Sequence, residues 1–105
     1  QYGSPTYAAD LAAAILEIIA SGNSTNKGGI YHYTNTGIIS WYEFASAIRE
    51  LTGSSCLVDP ISTDQYPTPA RRPKYSVLNT NKIRETFGIQ IPNWKTSLQA
   101  CLQRL

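Results

Sequence analysis

Methionine is absent from these 105 residues, histidine occurs once, cysteine twice, and charged residues make up only 15%. Each shortage closes off a class of chemistry. One histidine and two distant cysteines cannot make a zinc site of ordinary composition, and the residues leave any metal unassigned. His32 has no Ser, Asp or Cys partner at a recognisable spacing, which leaves it without a nucleophile to serve. The seven glycines form neither G-x-G-x-x-G nor G-x-x-G-x-x-G nor a P-loop, so a nucleotide cradle of the usual kind is missing. None of the seven tyrosines is followed four positions later by lysine. No catalytic residue is therefore assigned in this chain. The most apolar stretch, Ala8 to Ala20, is interrupted by Asp10 and Glu17 and is too short to cross a bilayer. A formal charge of +2 is far below the basic excess of a general nucleic-acid binder. Neither membrane nor nucleic acid is expected as a partner. Gln1 opens the chain without an initiator methionine and a helix follows almost at once, which reads as a piece of something longer.

What is present describes a soluble α/β chain, 42% apolar, of a length that suits one domain over residues 1–105. About four helices and two or three short strands are expected. The first helix spans Tyr7 to Ser21, capped by Thr6 (or by Ser4, with Pro5 as first helical residue) and stopped by Gly22, with Ala8, Leu11, Ala12, Ile15, Ile18 and Ile19 on its core face. Residues 23–27 form a polar connection and Gly28-Gly29 a turn. Ile30 to Asn35 reads as a strand with Tyr31 and Tyr33 on one side and Ile30, His32 and Thr34 on the other. Ser40 and Glu43 make a capping box, and Ile39 and Phe44 a hydrophobic staple, for a second helix that ends at Gly53. Its face is Trp41, Phe44, Ala45, Ile48 and Leu51. Cys56 to Ile61 reads as a second strand, at an edge because Pro60 has no N–H to donate. Asn79 caps a brief third helix ending at Gly88, and Asn93 caps a fourth striped by Trp94, Leu98, Cys101, Leu102 and Leu105. Trp41 and Trp94 are read as core anchors, and Cys56 and Cys101 as buried free thiols of a reducing compartment.

The candidate site is the stretch from Asp64 to Asn79. Pro67, Pro69 and Pro73 fix their own φ and push Tyr66, Thr68 and Arg72 into extended conformations. Arg71, Arg72, Lys74, Lys82 and Arg84 fall within fourteen residues that hold no carboxylate. A stiff backbone bearing two adjacent guanidinium groups loses little entropy when an anion docks, which suits a phosphate. Extended backbone sends neighbouring side chains to opposite sides, so one of Arg71 and Arg72 faces the ligand while the other does not.

Gly3-Ser4-Pro5-Thr6, Gly29-Ile30-Tyr31-His32, Ser40-Trp41-Tyr42-Glu43-Phe44-Ala45 and Tyr66-Pro67-Thr68-Pro69-Ala70-Arg71-Arg72-Pro73 occur in this order. With Ser76-Val77-Leu78-Asn79-Thr80, Phe87-Gly88 and Pro92-Asn93-Trp94, they resemble the C-terminal part of dTDP-4-dehydrorhamnose reductase, an extended short-chain dehydrogenase/reductase. The resemblance implies a cytoplasmic parent, in some members a homodimer, that reduces a dTDP-4-dehydro sugar with NADPH. It also implies that the dinucleotide loop and the Tyr-x-x-x-Lys pair lie in an N-terminal Rossmann part absent here. Arg71, Arg72, Tyr66 and Pro69 are the substrate-binding residues so expected, with the dTDP-sugar as ligand. The rival reading is a non-catalytic regulatory or interaction module of the same fold.

Overall fold

The computed structural model describes residues 1–22 and 27–105; most of the polar connection expected at 23–27 lies outside them. The order is β1 (Tyr2–Gly3), α1 (Ala8–Ala20), β2 (Ile39–Ser40), α2 (Trp41–Thr52), α3 (Asn81–Phe87) and α4 (Trp94–Leu102). β1 and β2 pair antiparallel with Tyr2 opposite Ser40 and Gly3 opposite Ile39. Four helices and a short sheet are as expected, but the strands are different ones. Cys56 to Ile61 is irregular and mostly exposed chain, with Leu57 and Ile61 in solvent, because none of the described residues lays a backbone alongside it to form a ladder. Ile30 to Asn35 keeps the alternation of a strand, with Tyr31 and Tyr33 packed on the core and Ile30 and His32 exposed, yet makes no ladder.

The local stop and start signals read from sequence hold at α2 and α4. Ser40 Oγ accepts the Glu43 N–H at 3.2 Å, while Glu43 Oε1 accepts from the same hydroxyl at 3.4 Å. Asn93 Oδ1 accepts the Lys95 N–H at 2.9 Å. Gly53 and Gly88 close α2 and α3 with φ of 69° and 66°, the left-handed turn that glycine adopts without a Cβ penalty. α3 starts later than expected: Asn79 Oδ1 takes the Asn81 N–H and Thr80 becomes the capping position without a side-chain bond.

α1 departs most from expectation. Neither Ser4 nor Thr6 caps it; Tyr7 holds the position, and its N–H donates across the fold to Asn35 Oδ1 at 2.7 Å. The buried line is Ala14 with half-buried Asp10 and Ile18, whereas Leu11, Ile15 and Ile19 of the expected core face stand in solvent. Ala14 joins Ile83 and Ile89 in a cluster flanked by Ile18, Tyr31, Tyr33, Phe87 and Ile91. α2 packs on α4, with Ala47 and Leu98 buried and the Phe44 and Trp94 rings edge to face at 6.3 Å.

Asn35, 1% exposed, ties these parts together. Its Nδ2 donates to Asp10 Oδ2 at 2.8 Å and to Ser97 Oγ and Pro92 O at 3.2 Å, while the Ser97 hydroxyl donates to the same Asp10 oxygen. Burial, and then the Asp10 charge, push the Tyr33 phenol above its ordinary pKa. Backbone bonds join Thr36 to residues 92–94 next to this knot, from the Thr36 N–H to Pro92 O and from the Trp94 N–H to Thr36 O. Gly37 follows with φ of 109°, and a Cβ there would run into the Trp94 ring, lying 3.0 Å from Nε1 and nearer still to Cδ1. Gly37→Ala is expected to lower stability by about 2–4 kcal/mol through strain plus displacement of that ring, read as a fall in denaturation midpoint.

Candidate functional site

The proline-rich segment is held at both ends. Near its start, a short 3-10 turn over Thr63–Gln65 closes when Gln65 Oε1 accepts the Ser62 N–H at 2.8 Å. Beyond it, the Tyr2 N–H donates to Lys74 O at 2.7 Å and the Ser76 N–H donates to Tyr2 O at 2.9 Å, so β1 grips residues 74–76. No peptide bond in the segment is cis. This two-point attachment decides the direction of each arginine. Arg72 turns inward: one Nη2–H reaches the Tyr66 carbonyl at 3.1 Å, and its Nε is buried with no hydrogen-bond partner. Arg71 is exposed.

Arg72 stands where two concave surfaces meet. One, of about 310 Å³, is walled by Tyr2, Ser4, Pro5, Ile39, Phe44 and Ser76; the other, of about 270 Å³, by Tyr42, Ile61, Ser62 and Tyr66. Gln1, Ser40, Trp41 and Arg72 border both. Of the four expected site residues the fold thus brings together Arg72 and Tyr66. Arg71 and Pro69 line neither cavity and lie on the outer side of the loop. The five positive charges expected together also separate. Lys82 lies over the Tyr31 ring at 4.6 Å and donates to Ile30 O, and Arg84 is on α3, so Arg71, Arg72 and Lys74 remain on the loop.

Trp41 corrects the reading of it as a core anchor. The residue is 64% exposed, its ring stands in edge contact with Phe44 at 6.0 Å, and it borders both cavities beside Arg72. Periodicity could not reveal this, because Trp41 lies on the same helical stripe as Phe44, Ala45 and Ile48. It is the first residue of α2, however, and the core stops short of it. Cys56 is likewise exposed rather than buried, while Cys101 is half-buried; neither is bridged.

Chemically the site offers a guanidinium with unused donor capacity and a broad aromatic face, while the hydroxyls of Ser4, Ser40 and Ser76 at its wall are spent on Gly37 O, Glu43 Oε1 and Tyr2 O. That set suits a ligand carrying an anion next to a flat or apolar group. Neither Arg71 nor Arg72 is in an ion pair; among the described residues the pair found is Lys95 with Glu50 at 3.8 Å, on the far helices. No group of three His, Cys, Asp or Glu among the described residues is placed to hold a metal. Among the described residues the positive-φ glycines stand singly, with Gly53 and Gly88 closing helices. His32 is exposed and borders neither cavity.

A family model described as the RmlD substrate binding domain matches residues 1–105. The chain belongs to that family. This RmlD substrate-binding domain is 42% identical over 104 residues to the dTDP-4-dehydrorhamnose reductase of Sinorhizobium fredii, covering 92% of this chain and 35% of the reductase. It is also 42% identical over 103 residues to the spore coat polysaccharide biosynthesis protein SpsK of Bacillus subtilis, covering 98% of this chain and 34% of that protein. The crystal structure of dTDP-4-dehydrorhamnose reductase from Bacillus anthracis in complex with NADP superposes with a TM-score of 0.89 at 38% identity, over 100% of this chain and 36% of that one. The resemblance expected from sequence is borne out. The chain spans little more than a third of the length of these relatives and corresponds to their C-terminal part.

Proposed function

We propose that this domain holds the dTDP-sugar for a parent polypeptide that reduces dTDP-4-dehydro-L-rhamnose to dTDP-L-rhamnose with NADPH, in the supply of rhamnose for cell-surface polysaccharide. The observation that carries this reading is Arg72, buried at Nε without a partner and set between two cavities beside the exposed indole of Trp41. The diphosphate lies on the Arg72 guanidinium and the nucleoside against Trp41. Tyr66 contributes through its carbonyl, which steadies the guanidinium, and Pro69 through the stiffness of the loop. Arg71 stays outside, adding positive potential without contact. The hydride donor and the proton-transfer pair belong to the parent's N-terminal part, where the glycine-rich loop and the Tyr-x-x-x-Lys pair are expected. A nucleotide-sugar substrate and two unbridged cysteines fit a cytoplasmic enzyme.

Titration of this chain with dTDP, followed by amide and indole resonances, is the direct test. Shifts are expected at Arg72, Lys74 and Tyr75 and at the Trp41 indole N–H, with weak affinity because one wall of the cleft is missing. Shifts confined to Arg71, or none up to saturation of the nucleotide, would remove the assignment. Trp41→Ala in the intact parent should weaken dTDP-sugar binding by roughly tenfold, and Trp41→Phe should restore most of it, as loss and return of a stacking face predict.

A further inference from the structure

A strand of two residues has no side-chain alternation long enough to choose its own register, and a pairing that short is marginal by itself. β1 nevertheless has a neighbour on each flank. Toward the proline-rich segment Tyr2 uses both of its peptide groups, the N–H on Lys74 O and the C=O on the Ser76 N–H, and the Ser76 hydroxyl donates to the same carbonyl at 3.3 Å. On the other flank Tyr2 stands opposite Ser40 and Gly3 opposite Ile39. Each neighbour leads directly to a group of the candidate site. Trp41 is the residue after Ser40, and Arg72 lies two residues before Lys74. The indole and the guanidinium are thus carried on opposite flanks of one strand, and a slip of a single residue in either pairing would move one past the other by about 3.3 Å.

Two contacts hold that register. Ser4 Oγ donates to Gly37 O at 2.7 Å, which pins the end of β1 to the chain entering β2. On the loop side, a Cβ at Gly3 would lie 3.1 Å from Ser76 Oγ, closer than ordinary van der Waals contact. Gly3 is not among the glycines with positive φ, so what its missing side chain supplies is closeness rather than a special backbone conformation. With a methyl group there, either the Ser76 hydroxyl turns away from the Tyr2 carbonyl or residues 74–76 withdraw. Both loosen the grip on the loop, and Pro73, fixed at φ, passes the displacement on to Arg72.

We infer that β1, seated closely against Ser76, sets the separation between Arg72 and Trp41, and that Gly3 and Ser76 are positioning residues for the dTDP-sugar. The inference rests on the proposed function, in which the diphosphate meets one of these groups and the nucleoside the other. A ligand that touches both gains from the second contact only when the two stand at the right spacing, whereas a ligand that touches one is indifferent to it.

Steady-state kinetics and inhibition of the intact parent test this, with dTDP, thymidine and inorganic pyrophosphate as inhibitors. Gly3→Ala is expected to raise the KM for the dTDP-sugar and the inhibition constant of dTDP by roughly tenfold, with kcat and the constants for thymidine and pyrophosphate changed by less than about twofold. Adding Ser76→Ala to Gly3→Ala removes the hydroxyl that the new methyl meets and should recover most of the lost affinity. A loss shared by all three inhibitors in step with a lower melting temperature would reduce Gly3 to a structural role and overturn the proposal. So would an unchanged KM in Gly3→Ala, or no recovery in the double variant. If Arg72→Ala and Trp41→Ala weaken dTDP while Gly3→Ala does not, the functional reading stands and only the positioning role falls; if neither Arg72→Ala nor Trp41→Ala has an effect, both fall together.

Discussion

Arg72→Ala in the intact parent should raise the KM for the dTDP-sugar by roughly ten- to a hundredfold, while Arg71→Ala changes it less than about twofold and neither alters the KM for NADPH. The size follows from a charge-assisted hydrogen bond, typically about 1.5–3 kcal/mol, at a site where the guanidinium is already placed. The asymmetry follows from the fold. Arg72 is restrained by the Tyr66 carbonyl and borders both cavities, whereas Arg71 projects to solvent. Arg72→Lys should recover only part of the loss, because an ammonium cannot reach the carbonyl and the diphosphate in the fixed fork that a guanidinium provides. Steady-state kinetics with each substrate varied in turn would settle it. Equal effects of the two alanine variants would mean that the loop binds through its summed charge, and the assignment to Arg72 would be lost.

The second large effect is on stability and lies at Asn35. Asn35→Leu is expected to destabilise the domain by about 3–4 kcal/mol, seen as a lower denaturant midpoint. The side chain, itself 1% exposed, satisfies the Tyr7 N–H at the start of α1, the half-buried Asp10 carboxylate, the Pro92 carbonyl and the buried Ser97 hydroxyl. Leucine nearly matches the bulk but leaves several of these groups without a partner. Asn35→Asp should be no better, since it sets a second carboxylate against Asp10 and removes the donor. A loss below about 1 kcal/mol would show that the surrounding groups find other partners, and that α1 is held by Ala14 and Ile18 alone.

The two results depend on information of different range. Ser40 with Glu43, Asn93 with Lys95, and the glycines at 53 and 88 act within a few residues of themselves, so the beginnings of α2 and α4 and the ends of α2 and α3 were readable from the chain, while the stripe expected to reach Leu105 stops at Leu102. α1 was recognisable as a helix but not orientable. Its sequence is apolar nearly all round, so the helical period marks no single face, and Asp10 is drawn inward by a partner twenty-five positions away. The β-rich run at 30–35 was identified by composition, yet a strand is defined by its neighbour, and none of the described residues supplies one. β1 and β2, two residues each, carry no period long enough to detect.

Sequence alone determined that a proline-stiffened loop carries adjacent arginines whose side chains point to opposite sides, and that neither a glycine-rich dinucleotide loop nor a Tyr-x-x-x-Lys pair lies within these residues. It determined these because proline geometry, strand alternation and motif spacing are properties of the covalent chain. Which arginine turns inward, and that an indole stands beside it, only the tertiary structure decided. The cause is the pairing of Tyr2 with residues 74–76, a contact between the start of the chain and a segment far along it that fixes the rotation of the loop and that no local pattern encodes.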